Sequence, residues 1–163
     1  MKIKIRSRSA LEKLSMNSFD EKVAIISITD VDDIPVNLKF RPQNILAVSF
    51  NDVDNDVMID ELGRIPTDEE RIDIENKYHM LTDDQANQIA DFCFSVFDKV
   101  DCIICQCEHG QSRSAAVAAA ILEYRSRKGI SVFADDKYYP NKVVFRKVLS
   151  ALNRLSEQSA NKN

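Results

Sequence analysis

The chemistry of this chain concentrates in one stretch, Cys107-Glu108-His109-Gly110-Gln111-Ser112-Arg113-Ser114. A cysteine followed six positions later by an arginine is weak as bare spacing, arising by chance in about one chain in four of this composition. A glycine midway and a hydroxyl residue after the arginine lower that chance to on the order of one in two thousand. A tight loop leading from a strand into a helix N-terminus aims backbone N–H groups at one centre. The positive end of the helix adds to them, so the loop is an anion cradle suited to a tetrahedral oxyanion. Gly110 is expected to let the backbone turn sharply and approach the ligand. Arg113 can close over two oxygens with a fork that lysine cannot reproduce. The same field favours the thiolate of Cys107. A thiolate at the bottom of a phosphate cradle is placed for in-line attack on phosphorus. The product is a thiophosphoryl-cysteine that water then hydrolyses, which is phosphomonoester hydrolysis.

Such a loop needs a strand before it and a helix after it. Residues 101–107 form a short apolar run that reads as a buried strand, and Ser112 to Lys128, rich in alanine, reads as a helix closed by Gly129. Residues 23–28 and 44–50 are two further buried strands, and Lys2 to Arg6 alternates like an edge strand. Thr82-Asp83-Asp84 opens a helix that runs to about Phe97 and places Cys93 on its core face. Pro140 opens a last amphipathic helix through Val143, Val144, Val148, Leu149 and Leu152, and the polar tail beyond Leu155 is expected to fray. Strands alternating with helices make an α/β domain, with helices flanking a central, mostly parallel sheet. The expected organisation is one domain over residues 1–157, followed by a polar tail, 158–163.

Composition narrows the partners. The chain has 163 residues, 44% of them apolar, which suits a single core. Its net charge of −4 gives no general attraction to nucleic acid or anionic lipid, so neither a nucleic-acid nor a membrane partner is expected. The start lacks the apolar core of a secretory signal and no apolar run approaches membrane-spanning length, which predicts a cytoplasmic protein. Its four cysteines, Cys93, Cys102, Cys105 and Cys107, cluster too tightly to staple distant parts of a fold, so free thiols are expected.

Residues 51–81 stand apart. They carry ten acidic and three basic groups, a local charge of −7 that leaves the rest of the chain at +3. The stretch is too long for an ordinary connection and reads as a lid or a mobile loop. Asp52, Asp54, Asp56 and Asp60 imitate the opening of a calcium loop. Val57 occupies the glycine position, however, and Gly63 the position of the bidentate glutamate, so a solvated acidic loop is the better reading. Cys102 and Cys105 have zinc-knuckle spacing but face opposite sides of a strand, and no second pair follows. Cys105 and Cys107 share a face, which leaves a redox pairing of Cys107 with Cys105 or Cys93 open.

On Cys107 to Ser114 the chain resembles the cysteine-based protein tyrosine phosphatase superfamily, most closely its compact dual-specificity branch and the small bacterial and phage members. Tyr139-Pro140-Asn141, with Phe145 and Leu149, is similar to the motif that opens the last helix there. The likeness spans roughly Asn44 to Leu152. It implies a nucleophile at Cys107, a phosphate-binding Arg113, a Ser114 hydroxyl that stabilises the departing thiolate, and phosphoryl-binding amides from Glu108, His109, Gly110, Gln111 and Ser112 to Arg113. It also implies a general acid on a loop after the strand that ends at Phe50. Asp52 is the first choice and Asp54 the second, with Asp68 and Asp83 left open because the gap to Cys107 is long. Two positions depart from the pattern. Gln106 stands where His is common, and His109 stands where alanine is common, either adding charge to the cradle or facing outward.

The resemblance implies no cofactor and no metal. Its substrates are phosphorylated proteins, as phosphotyrosine or with dual specificity, or small phosphoesters. Glu108 and Gln111 are not the lysines that would favour polyanionic inositol lipids. One alternative is a binding module that keeps the cradle and turns over poorly. Sulfur or arsenate chemistry is remote, because those cysteine loops differ in length or lie near the N-terminus.

Overall fold

The computed structural model describes residues 1–15 and 22–160. At its centre is an all-parallel sheet of β1 (Lys2–Ser7), β2 (Val23–Thr29), β3 (Asn44–Ser49) and β4 (Cys102–Cys107), in the order β1-β4-β2-β3. β1 is an edge strand, as expected, but β3 forms the other edge with Ile45, Ala47 and Ser49 exposed, so residues 44–50 are not the buried strand expected. The helices are α1 (Arg8–Glu12), α2 (Asp56–Leu62), α3 (Asp68–Lys77), α4 (Asp83–Val96), α5 (Arg113–Ser126), α6 (Ile130–Phe133) and α7 (Lys142–Ala160).

Strand alternation divides the core in two. Ala24, Ile26 and Ile28 of β2, with Ile103, Cys105 and Cys107 of β4, pack under α4, α5 and α7. Ile25, Cys102 and Ile104 face the other way, against Leu11 of α1 and Phe40. Cys102 and Cys105 thus lie on opposite faces, as the spacing argument requires. Because α5 is wedged between the sheet and α7, Ala115 to Ile121 are all buried. A helix that is apolar all round has no solvent face to lose, which explains its run of alanines. The register brings the strand ends level, Ser7 opposite Cys107 and Thr29 opposite Ser49. In a parallel sheet that carboxyl edge is where ligands are bound.

Four further local expectations are corrected. Residues 51–81 are not a loop but carry α2 and α3. Gly63, at φ 63°, ends α2, and Thr67 and Glu70 close α3 with reciprocal capping bonds. Arg64 beside Glu70, with the Thr67 N–H, pulls that carboxylate down to about 2. Ile74 and Met80 seat the insert on Val143 of α7. The left-handed residue ending α5 is Arg127, at φ 57°, rather than Gly129. Gly129 is needed for space instead, since a Cβ there would lie 2.7 Å from the Ala119 carbonyl oxygen and from Glu123 Cβ. Asn141, not Pro140, caps α7: its Oδ1 accepts from the N–H groups of Val143 and Val144. That helix also continues past Leu155 to Ala160.

Candidate active site

The residues after β4 close a loop whose outer carbonyls are tied down. The Arg8 N–H donates to the Glu108 carbonyl at 3.1 Å, and the Tyr139 N–H to the Gln111 carbonyl at 2.9 Å. A trans peptide points its N–H opposite to its C=O, so anchoring these carbonyls outward turns the amides of His109 and Ser112 inward. Arg8 reinforces the anchor with its side chain, pairing with Glu108 at 2.5 Å and Asp33 at 3.3 Å. Gly110 sits at φ 70°, where a side chain is strained, and a Cβ on it would lie 2.6 Å from Ser7 N. The close approach that demands glycine is therefore to the end of β1, not to a ligand.

Cys107 forms the floor of this loop and is 2% exposed, with its Sγ 3.0 Å from Ser114 Oγ. Burial pushes the Cys93 thiol up to about 12 and that of Cys105 well above its ordinary value. Both are free and stay protonated, which disfavours their attack on a neighbouring sulfur.

Arg113, the first residue of α5, is buried, and its guanidinium is divided in use. Nη1 donates to Asp30 Oδ1 at 2.9 Å and to the Phe50 carbonyl at 2.7 Å, and Nη2 donates to Asp30 Oδ2 at 3.2 Å. These bonds hold the end of the fork. Nε, equally buried, has no hydrogen-bond partner, so Nε–H and the second Nη2 hydrogen remain as a side-on pair of donors. An orphaned buried donor is costly unless a ligand satisfies it.

The acid expected after Phe50 is in place. Asp52 Oδ1 accepts from Ser112 Oγ at 2.8 Å and from Asn141 Nδ2 at 3.0 Å, while Oδ2 lies 4.0 Å from Arg113 Nε. Asp54 instead accepts from the Asn55 N–H at 2.6 Å. Asp83 lies 3.3 Å from Lys147, and Asp68 stands in the first turn of α3. Among the described contacts only Asp52 of these four bonds a loop residue. The loop bearing it is fixed by Asn51, whose N–H and Nδ2 donate to the carbonyls of His79 and Tyr78.

Gln106 points away from the thiol and accepts from Ser27 Oγ at 2.7 Å on the opposite face of the sheet. His109 is exposed, the outward orientation.

Sequence reasoning missed three participants: Asp30, Arg8 and the bond from Asn141 to Asp52. Asp30 follows directly on an apolar strand, a position that marks a carboxylate at the ligand-binding edge. Nothing else in the sequence separates it from the other acids.

No family model matches the sequence, and no curated protein matches it either. Solved structures do. PTPMT1 in complex with PI(5)P aligns over 97% of this chain and 94% of that one, with 13% identity and a TM-score of 0.55. Human DUSP28 aligns over 96% and 94%, with 15% identity and a TM-score of 0.53. The fold is that of the cysteine-based protein tyrosine and dual-specificity phosphatases.

Proposed function

We propose that this protein is a cysteine-dependent phosphatase that hydrolyses phosphomonoesters through a thiophosphoryl intermediate on Cys107. The observation that carries the proposal is the division of Arg113: its end is held by Asp30 and Phe50, while a buried side edge is left without a hydrogen-bond acceptor. Two parallel N–H donors match two oxygens of a phosphoryl group. The inward amides of the loop take the remaining oxygens.

The sulfur attacks phosphorus and forms the S–P bond as the P–O bond to the leaving group breaks. Asp52 supplies the proton that the leaving oxygen needs. Its Oδ1 is occupied by two donors, so the proton rides on Oδ2, the oxygen that faces Arg113 Nε at 4.0 Å. Water then attacks phosphorus, Asp52 takes one of its protons, and the S–P bond breaks. Ser114 Oγ, 3.0 Å from the sulfur, donates to the departing thiolate. Transition-state charge thus falls where fixed donors already point.

The substrates are phosphorylated proteins or small phosphoesters. Steady-state hydrolysis of p-nitrophenyl phosphate tests the reading. The wild type turns over, Cys107→Ser does not, and Arg113→Lys loses both binding and rate through loss of the fork. Phosphate binding by a wild type that never turns over would make the protein a binding module instead.

A further inference from the structure

The insert and α7 enclose a groove of about 600 Å³ that the chemistry above does not use. Ile59, Ile65 and Ile72 line it and are exposed. Apolar side chains gathered in one concave site and rimmed by charge mark a surface that meets another molecule.

The charges say which kind. Arg71, Arg146 and Arg154 line the same groove, and none of them pairs with a carboxylate among the described residues. Lys147 is satisfied by Glu75 at 2.7 Å and Asp83 at 3.3 Å. The remaining lining carboxylate, Asp68, stands in the first turn of α3, where the positive end of the helix favours it. The basic residues of the insert divide in the same way: Arg64 and Lys77 are paired with Glu70 and Glu61, and Arg71 is left for the groove. Arg71 of the insert, with Arg146 and Arg154 of α7, thus forms a basic strip that carries no ion pair among the described residues.

The groove is linked to Asp52 by hydrogen bonds through Asn141. Asn55 and Val143 line it. The Val143 N–H is bonded by Asn141, and the amide of Asn141 holds Asp52.

We propose that the groove docks an acidic, aliphatic segment flanking the phosphorylated residue of a protein substrate, a reading that rests on the phosphatase assignment above. Isoleucines take the aliphatic side chains and the unpaired arginines take the carboxylates. A concave site between helices suits a peptide chain rather than a flat bilayer.

Fluorescence anisotropy with a fluorescein-labelled peptide alternating glutamate and leucine tests the groove independently of catalysis. The double variant Arg71→Glu, Arg146→Glu is expected to weaken binding about tenfold, and added salt to weaken binding to the wild type. Ile72→Asp weakens it through the apolar side, and circular dichroism checks that each variant folds. For a phosphotyrosine peptide in the same acidic context, kcat/KM falls about tenfold in the double variant while p-nitrophenyl phosphate hydrolysis is unchanged. Equal binding by wild type and double variant overturns the proposal, as does equal binding of a peptide with lysine in place of glutamate. So does a dimer that the double variant dissociates, or binding of phosphatidylserine vesicles in place of the peptide. If p-nitrophenyl phosphate is not hydrolysed at all, the phosphatase assignment fails and the anisotropy result still decides the groove.

Discussion

Replacing Asp30 by alanine removes two of the three acceptors that hold the Arg113 guanidinium, those at 2.9 and 3.2 Å, and leaves the Phe50 carbonyl at 2.7 Å. Hydrogen bonds to charged groups contribute about 1.5–3 kcal/mol. The Asp30 side chain is 40% exposed, so water replaces part of what is lost and the low end, about 1.5 kcal/mol of stability, applies. Catalysis suffers more than folding, because the guanidinium can then swing about its single remaining anchor. Misplacing a positioning group by about an ångström lowers the rate by up to about a hundredfold. The remaining Phe50 anchor limits the loss, so kcat/KM for p-nitrophenyl phosphate should fall about 10- to 100-fold, or about 1.4–2.7 kcal/mol of transition-state stabilisation. Both kcat and KM change, since Arg113 meets the phosphoryl group in the ground state and in the transition state. Inhibition by inorganic phosphate weakens in parallel. Asp30 is a positioning residue in this scheme. Wild-type kcat/KM in Asp30→Ala would refute the reasoning, and tighter phosphate inhibition would show that Asp30 competes with the ligand for Arg113.

Asp52→Asn should lower kcat and flatten the limb of the pH–rate profile that reports proton delivery, and an unaltered profile would move the assignment to Asp54. Asn141→Ser keeps a capping oxygen on α7 but loses the amide that bonds Asp52, so it should melt like the wild type and turn over more slowly, whereas Asn141→Ala should also lose about 1 kcal/mol of stability. For Glu70 the folded value, about 2, lies below the ordinary 4.5. Its contribution is therefore present above pH 4.5 and is lost as the pH falls toward about 2. Amide exchange in α3 should be faster in Glu70→Gln than in the wild type at neutral pH, with the difference closing across that interval.

What the sequence discloses follows from how local each signal is. Residues 23–28 and 101–107 declare themselves as strands because a buried parallel strand needs apolar side chains on both faces, whereas 44–50 read the same way but form an edge strand with one face exposed. The loop from Cys107 to Ser114 is legible because its demands, a turn, a fork and a helix start, all fall within eight residues. The insert is not legible by periodicity, for Ile72 and Ile74 stand two apart and draw no helical stripe. Its readable signal is the Thr67-to-Glu70 capping spacing. Gly110 declares a turn, but that its neighbour is the backbone of Arg6 and Ser7 depends on the parallel pairing of β1 with β4. Asp30 and Arg8 act across the sheet, on partners 83 and 100 positions away, and no local pattern carries that. Asp52 was reached through family resemblance, and its two donors come from elements that meet only in the folded chain.

The central claim is that the Cys107 sulfur becomes covalently bonded to phosphorus during turnover. Acid quenching of the enzyme in the course of p-nitrophenyl phosphate hydrolysis, followed by mass spectrometry of its peptides, tests this directly. The account predicts a phosphoryl group on the peptide containing Cys107, and none in Cys107→Ser. Hydrolysis that proceeds with no adduct on Cys107, or that survives in Cys107→Ser, would contradict it.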